Sequence, residues 1–284
     1  MPLADYVKKH NSVADAIRSI QPSAHLVAVG SVGEWDEGML AGCADHMDLI
    51  SEHAYRKEMP DVDAHSRQLA EDIDRIALAH RNYGKSIPAL AGKNIPIAMD
   101  EWNYWYGNYI YGELGVQYHL KDALGIARGL HAFFRNSDLY FMANYAQTVN
   151  VIGAIKTSRT SAVFDTTGLV LKLYRSRFGS VPVAVSGSTG RLDVSAALTA
   201  DGKALTVAVV NPEKNAGQFA FDIRPGAPSA KGTRWTLTGP DPMSANAPGK
   251  PQKVTITESA FSSSGAGLSV PPYSVVIFRF DRLP

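Results

Sequence analysis

Apolar positions in "LADYVKKHNSVADAIRSI" (3–20) recur at helical spacing, with Leu3, Tyr6, Val7, Val13, Ala16 and Ile17 on related faces and Pro22 as a stop. The run "HLVAVGS" (25–31) is short, apolar and interrupted by Gly30, which predicts a strand. After a helix-like turn, "MDLISEHAY" (47–55) predicts another. In "HSRQLAEDIDRIALAHRNYG" (65–84), Leu69, Ile73, Ile76 and Ala77 share one face, and Gly84 marks the expected helix end. "IPIAMDEWNYWYG" (95–107) opens as a third strand. Residues 115–135 line up Leu120, Ala123, Leu124, Ala127, Leu130, His131 and Phe134 as a helical face. "DLYFMANYA" (138–146) is a fourth strand, and "TGLVLKLYRSRFG" (167–179) a further helix.

Short apolar strands separated by helices predict βα units around a parallel sheet. Four such strands fit half of an eight-stranded barrel or an open doubly wound sheet. The pattern changes near residue 180. From there "VPVAVSG", "RLDVSAAL", "ALTVAVV", "QFAFDI", "TRWTLTG", "KVTIT" and "YSVVIFRF" alternate with turn clusters such as "NPEKNAG" and "GPDPMSANAPGKP". That texture predicts an antiparallel β-sandwich. The chain therefore divides into residues 1–180 and 181–284.

With 284 residues the chain can bury one or two sizeable cores. Its 28 basic and 27 acidic residues balance, which points to neither a nucleic-acid partner nor an anionic membrane surface. No apolar run reaches the roughly 20 residues of a spanning helix. A lone Cys43 excludes an internal disulfide framework and a cysteine-cluster zinc site.

Candidate chemistry collects where strands of a parallel sheet end. The second strand finishes Ser51-Glu52-His53-Ala54-Tyr55, the third Asp100-Glu101-Trp102-Asn103, the fourth Asn144-Tyr145-Ala146-Gln147. Taken singly, a cap, a packed histidine or a packed ring would account for each. Their recurrence at successive strand ends points to a site in which rings pack on a sugar's C–H face and polar groups take its hydroxyls. A carboxylate there can attack an anomeric carbon. Alternation puts Glu101 on the face of Ile97 and Met99 and Asp100 on the face of Ala98. It also makes His53 and Tyr55 point together and Glu52 point away. Trp102, Tyr104, Trp105 and Tyr106 are expected to form a wall for the sugar. No dinucleotide fingerprint, phosphate loop, H-E-x-x-H or G-x-S-x-G occurs.

"DLISEHAY", "IAMDEWNYWY" and "ANYAQTVNVIGAI", in this order along the chain and followed by β-type runs, resemble glycoside hydrolase family 51, the α-L-arabinofuranosidases. Weaker matches are "HLVAVGS", "LYRSRFG", "LTVAVVNP" and "SANAPGKPQKV". The resemblance implies a (β/α)8 TIM barrel, of which this chain holds strands five to eight, and a jelly-roll-like sandwich. It implies a retaining hydrolase of terminal α-L-arabinofuranosyl groups, with Glu101 as nucleophile, His53 and Tyr55 as polar substrate-binding neighbours, Trp105 as a subsite ring and Gln147 as a sugar-contacting amide. No metal or organic cofactor is implied. The implied partner is an arabinose-containing oligo- or polysaccharide, and a homo-oligomer is expected from the family's tendency to form multimers.

One departure is large. The family's acid/base is the Glu of an Asn-Glu pair after strand four, and no Asn-Glu dipeptide occurs in these 284 residues. Met1 accordingly resembles an internal methionine, and the chain is expected to be nearly inactive alone. Two further readings stay open: an endo-acting glucanase or xylanase with a cleft lined by Trp102, Trp105 and Tyr109, and a non-catalytic carbohydrate-binding fragment. Cytoplasmic and secreted placements are equally open.

Overall fold

The computed structural model describes residues 1–107, 109–110, 112, 115–220, 231–262 and 267–281. Its elements run α1 (Leu3–Ile20), β1 (Val27–Ala28), α2 (Glu34–Cys43), β2 (Leu49–Arg56), α3 (Val62–Ser86), β3 (Ile97–Tyr104), α4 (Leu120–Arg135), β4 (Tyr140–Tyr145), β5 (Ile155–Thr157), β6 (Ala162–Phe164) and α5 (Thr166–Arg177). The strands β7 (Val181–Val183), β8 (Asp193–Leu198), β9 (Ala204–Asn211), β10 (Gly217–Phe219), β11 (Lys231–Thr238), β12 (Thr255–Ser262), β13 (Leu268–Val270) and β14 (Ser274–Asp281) follow. By contact density the chain forms two units. One comprises Met1–Tyr55, Glu71–Trp102 and Asn136–Ala146; the other comprises Arg56–Ala70, Asn103–Arg135 and Gln147–Pro284.

In the first unit, β1, β2, β3 and β4 form a sheet in sequence order, and β1 with β2 and β3 with β4 pair in parallel. One core is built from Ala28, Met39, Leu40, Cys43, Met47, Ile50, Tyr83 and Leu90, with Leu3, Tyr6 and Val7 of α1 packed against it. Leu3, Tyr6 and Val7 are among the apolar positions whose spacing predicted α1. The expected strand at 25–31 shrinks to two residues, because the chain turns at Gly30 against β2. A Cβ at Gly30 would collide with the Ser51 carbonyl oxygen. Gly84 does not end its helix as expected. Ile87 N–H donates to the Tyr83 carbonyl across it, and the ladder stops at Pro88, which has no N–H to give. Cys43 is fully buried, and burial pushes its thiol up to about 11.

The second unit holds the sandwich. Its larger sheet has the order β12-β11-β14-β9-β8-β7, with every neighbour antiparallel; β10 and β13 form a smaller antiparallel pair. Val207, Val209, Val276, Phe278 and Phe280 from one sheet meet Leu268, Val270 and Phe219 from the other. Residues two apart along β9 and β14 share one face, which places these side chains together on the inner side of the sheet. The second half of the expected strand "QFAFDI", from Phe221 on, lies outside the described residues. The hairpin β5–β6 has no counterpart in the sequence reading, since two three-residue strands are too short to show a period.

Helices α4 and α5 belong to this unit and are fastened to it by a buried relay. Tyr174 O–H (α5) donates to His131 Nε2 (α4) at 2.6 Å, and His131 Nδ1 sits 2.5 Å from Asp193 Oδ1 (β8). This pattern assigns a neutral imidazole with its proton on Nδ1, and burial lowers the imidazole's pKa accordingly. Phe134 stacks on Phe178 beside it, ring centroids 5.1 Å apart. For Asp193, burial pushes the carboxyl up, but the His131 hydrogen bond overrides it and holds the group at about 2, helped by Arg135.

A depressed folded pKa stabilises the fold above the unfolded value of 3.8 and loses that stabilisation as pH falls through about 2. Wild type should therefore exceed Asp193→Asn by about 2 kcal/mol at pH 7. Urea unfolding of both proteins at pH 7, 4 and 2 checks this: the gap should persist to pH 4 and close near pH 2. A gap independent of pH would remove the relay from the account.

Candidate active site

Alternation along β2 sorts its polar residues onto two sides. Glu52 is buried and reaches back to His80 of α3, whose Nε2 lies 2.9 Å from Glu52 Oε1. Burial pushes Glu52 up to about 7, a value suited to a general acid, but its side chain faces away from the site. His53 and Tyr55 point the other way, toward Glu101. Tyr55 O–H donates to Glu101 Oε2 at 2.7 Å, and His53 Nδ1 stands 4.0 Å from the same oxygen. The His53 and Glu101 side chains are both about half exposed.

Glu101 owes its aim to a bulge. Met99 pairs with Ala143 and Trp102 with Tyr145, so Asp100 and Glu101 together oppose the single residue Asn144. Below the bulge, Ile97 and Met99 are fully buried; at it, Glu101 emerges into solvent. The Tyr55 phenol is pushed above its ordinary value, first by burial and then by the Glu101 carboxylate. It stays protonated and can only donate to that oxygen.

The aromatic wall expected from residues 102–106 is corrected by the structure. Trp102 is buried and meets Tyr145 edge-on, ring centroids 5.9 Å apart. Tyr104 is fully buried, its O–H on the His65 carbonyl at 2.7 Å and its ring stacked on the His65 imidazole. Tyr106 is buried too, donating to Asp122 at 2.7 Å. Of the four rings only Trp105 is exposed. Phenols seek buried acceptors when their rings are packed, and the chain supplies them: Asp122 also takes the His119 backbone N–H at 2.7 Å and faces His65 Nε2 at 2.8 Å. His65 Nδ1 accepts from Met59 N–H at 3.1 Å, which assigns the imidazole proton to Nε2, toward Asp122. Gly125 completes the packing of this loop, since a Cβ there would collide with the Tyr104 hydroxyl.

The structure thus brings Glu101, Tyr55 and His53 together in the first unit. Trp105 and Gln147 belong to the second. Trp105 N–H donates to the Arg56 carbonyl at 2.9 Å, which fixes the turn leaving β3. Gln147 starts a loop of unusual backbone: Gln147, Asn150 and Val151 have φ of 62°, 55° and 42°. For β-branched Val151 this is a strained conformation. Polar clamps hold it. The Val151 carbonyl accepts from Val116 N–H at 2.9 Å and from Lys156 Nζ at 2.8 Å, and the Ile152 carbonyl accepts from Asn103 Nδ2 at 2.7 Å.

A family profile described as the alpha-L-arabinofuranosidase C-terminal domain matches residues 100–274. The chain is 27% identical over 314 residues to alpha-L-arabinofuranosidase C of Emericella nidulans, covering 97% of the chain and 61% of that protein. Among solved structures it is similar to an alpha-L-arabinofuranosidase of Thermotoga maritima in an arabinose complex, with TM-score 0.89 and 24% identity over 99% of the chain and 62% of the other. It is also similar to the thermostable GH51 alpha-L-arabinofuranosidase of Thermotoga petrophila, with TM-score 0.86 and 22% identity over 99% and 63%. The two structural likenesses are likenesses of fold. The chain spans about three-fifths of the length of each of these proteins.

The Tyr55–Glu101 contact can be measured. A hydrogen bond to a half-exposed carboxylate contributes about 1 kcal/mol. A double-mutant cycle of Tyr55→Phe and Glu101→Ala, read by urea unfolding at pH 7, should return a coupling of that size. Additive single effects would mean that the two side chains do not meet.

Proposed function

The chain belongs to the alpha-L-arabinofuranosidases, corresponding to a C-terminal portion of glycoside hydrolase family 51, and on that premise we propose that it carries the nucleophile of a retaining enzyme acting on terminal α-L-arabinofuranosyl groups. In this reading β1 to β4 are strands five to eight of a (β/α)8 barrel within residues 1–180, and residues 181–284 are the sandwich. The observation that carries it is the exposed Glu101 carboxylate held at a strand end by Tyr55 O–H, with His53 beside it.

The chemistry follows from that grip. With Oε2 occupied by Tyr55, Oε1 of Glu101 is the oxygen that attacks the anomeric carbon. A carboxylate–carbon bond forms, and the bond to the aglycone oxygen breaks with its electron pair. Water then hydrolyses the arabinosyl ester with net retention. The departing oxygen needs a proton, supplied in retaining enzymes by a second carboxyl group about 5–5.5 Å away. Within these 284 residues no Asn-Glu pair fills that role, and Glu52, whose pKa would suit it, faces the other side of β2. Trp105 and Gln147 are assigned to the sugar subsite: an exposed ring for the C–H face and an amide for hydroxyls. The partner is an arabinose-containing oligo- or polysaccharide.

The purified chain should turn over an arabino-oligosaccharide negligibly. With an aryl arabinofuranoside, whose leaving group needs no proton, it should form an arabinosyl ester on Glu101, detected by mass spectrometry of the digested protein and absent in Glu101→Gln. Brisk oligosaccharide hydrolysis, or an adduct on another residue, would overturn the assignment.

A further inference from the structure

Behind β2, on the side away from Glu101, three elements converge on one point. Asp36 from the first turn of α2, Glu52 from β2 and His80 from α3 are all buried. His80 Nε2 lies 2.9 Å from Glu52 Oε1 and 3.4 Å from Asp36 Oδ2, and one ligand atom from each residue falls within 4.8 Å of the other two.

Two details distinguish this cluster from an ordinary buried ion pair. The first is an unmet acceptor. Asp36 Oδ1 takes the Ser31 backbone N–H at 2.6 Å, and that bond leaves Oδ2 pointing into the cluster. Oδ2 is buried there with no hydrogen-bond partner. Buried carboxylate oxygens are rarely left so, because the loss of hydration is not recovered. The second is the support around the donors. Tyr83 packs edge-on against His80, centroids 5.4 Å apart, and its hydroxyl is fixed by the Gly33 N–H at 2.8 Å. Gly30 lets the loop before α2 close over Asp36, since a Cβ there would sit 3.1 Å from Asp36 Oδ1.

We propose that Asp36 Oδ2, Glu52 Oε1 and His80 Nε2 are the protein ligands of one divalent metal ion, with zinc the favoured ion. An imidazole with two carboxylates is a borderline donor set that suits zinc, and two negative charges in a buried site match a dication. Ligand atoms about 2.0–2.2 Å from a tetrahedral ion lie roughly 3.3–3.5 Å apart. The Asp36–His80 separation already matches, and the Glu52–His80 separation needs to open by about half an ångström. The ion would meet the stranded Oδ2 directly, and Ser31 N–H would orient the Asp36 ligand from behind. Such a site joins α2, β2 and α3 at the back of the strand whose other side presents His53 and Tyr55. It is structural, and it stands independently of the hydrolase reading.

The test uses the whole chain, stripped by chelator and passed through gel filtration. Added zinc should be retained at one ion per chain by elemental analysis and should raise Tm by about 5 °C at saturating metal. His80→Gln and Asp36→Asn should each abolish both effects, whereas His25→Gln, at an exposed histidine, should change neither. Should the cluster variants fail to fold, the zinc-loaded wild type decides by X-ray absorption. A first shell with a single imidazole and carboxylate oxygens supports the site. An all-oxygen or multi-imidazole shell overturns it, as does stripped protein that retains no zinc, or retention that survives both cluster substitutions.

Discussion

The two-residue alternation of one strand organises this protein's candidate chemistry. A strand sends successive side chains to opposite sides, so β2 commits Glu52 to one face and His53 and Tyr55 to the other. Neither side can be changed alone: a one-residue slip of β2 would carry a carboxylate to the solvent face and a phenol to the buried side. The parallel pairing of β2 with β1 through Leu49 and Ile50 resists that slip, because those residues hold their apolar environment only in one register.

Alternation alone does not aim Glu101, and the bulge at Asp100–Glu101 supplies the rest. Inserting one residue opposite Asn144 lets a buried apolar strand finish on an exposed carboxylate and then return at once to a buried ring, Trp102. The segment that follows is held by polar groups rather than by apolar packing alone. Asp122 collects the Tyr106 hydroxyl and the His119 N–H and faces His65, so three stretches of chain are tied to one carboxylate. A carboxylate so supplied stays ionised. Burial pushes it up, the hydrogen bonds from His119 and His65 override burial, and the group ends well below the usual carboxylate range. The strained backbone at Val151 is maintained in a similar way, by donors from Lys156, Val116 and Asn103 converging on two adjacent carbonyls.

Much of this was legible in the residues. Helical spacing located α1, α3, α4 and α5, and the change to short alternating runs after residue 180 marked the sandwich. Parity alone separates Glu52 from His53 and Tyr55. Three features were hidden for physical reasons. A tyrosine's role depends on whether an acceptor waits inside the fold, so "WNYWYG" read as a wall when most of it is interior. Gly84 read as a stop, although glycine ends a helix only when its backbone turns left-handed, and here the ladder runs on to Ser86. Asp36, Glu52 and His80 are spread over 45 residues on three elements, with no short spacing to betray them. The nearest signal was a charged pair, Glu34 and Asp36, at a helix start, where acids commonly sit for reasons of dipole alone.

Cys43 is the chain's single cysteine, enclosed in the core of the first unit and with its thiol pushed up to about 11. At neutral pH such a sulfur offers almost no thiolate and no path for an electrophile. In the folded chain Cys43 is therefore shielded from maleimides and iodoacetamides, and a cysteine introduced at an exposed position would react ahead of it. Fluorescent or paramagnetic reporters could be attached one at a time, without first deleting the wild-type residue from its packed environment.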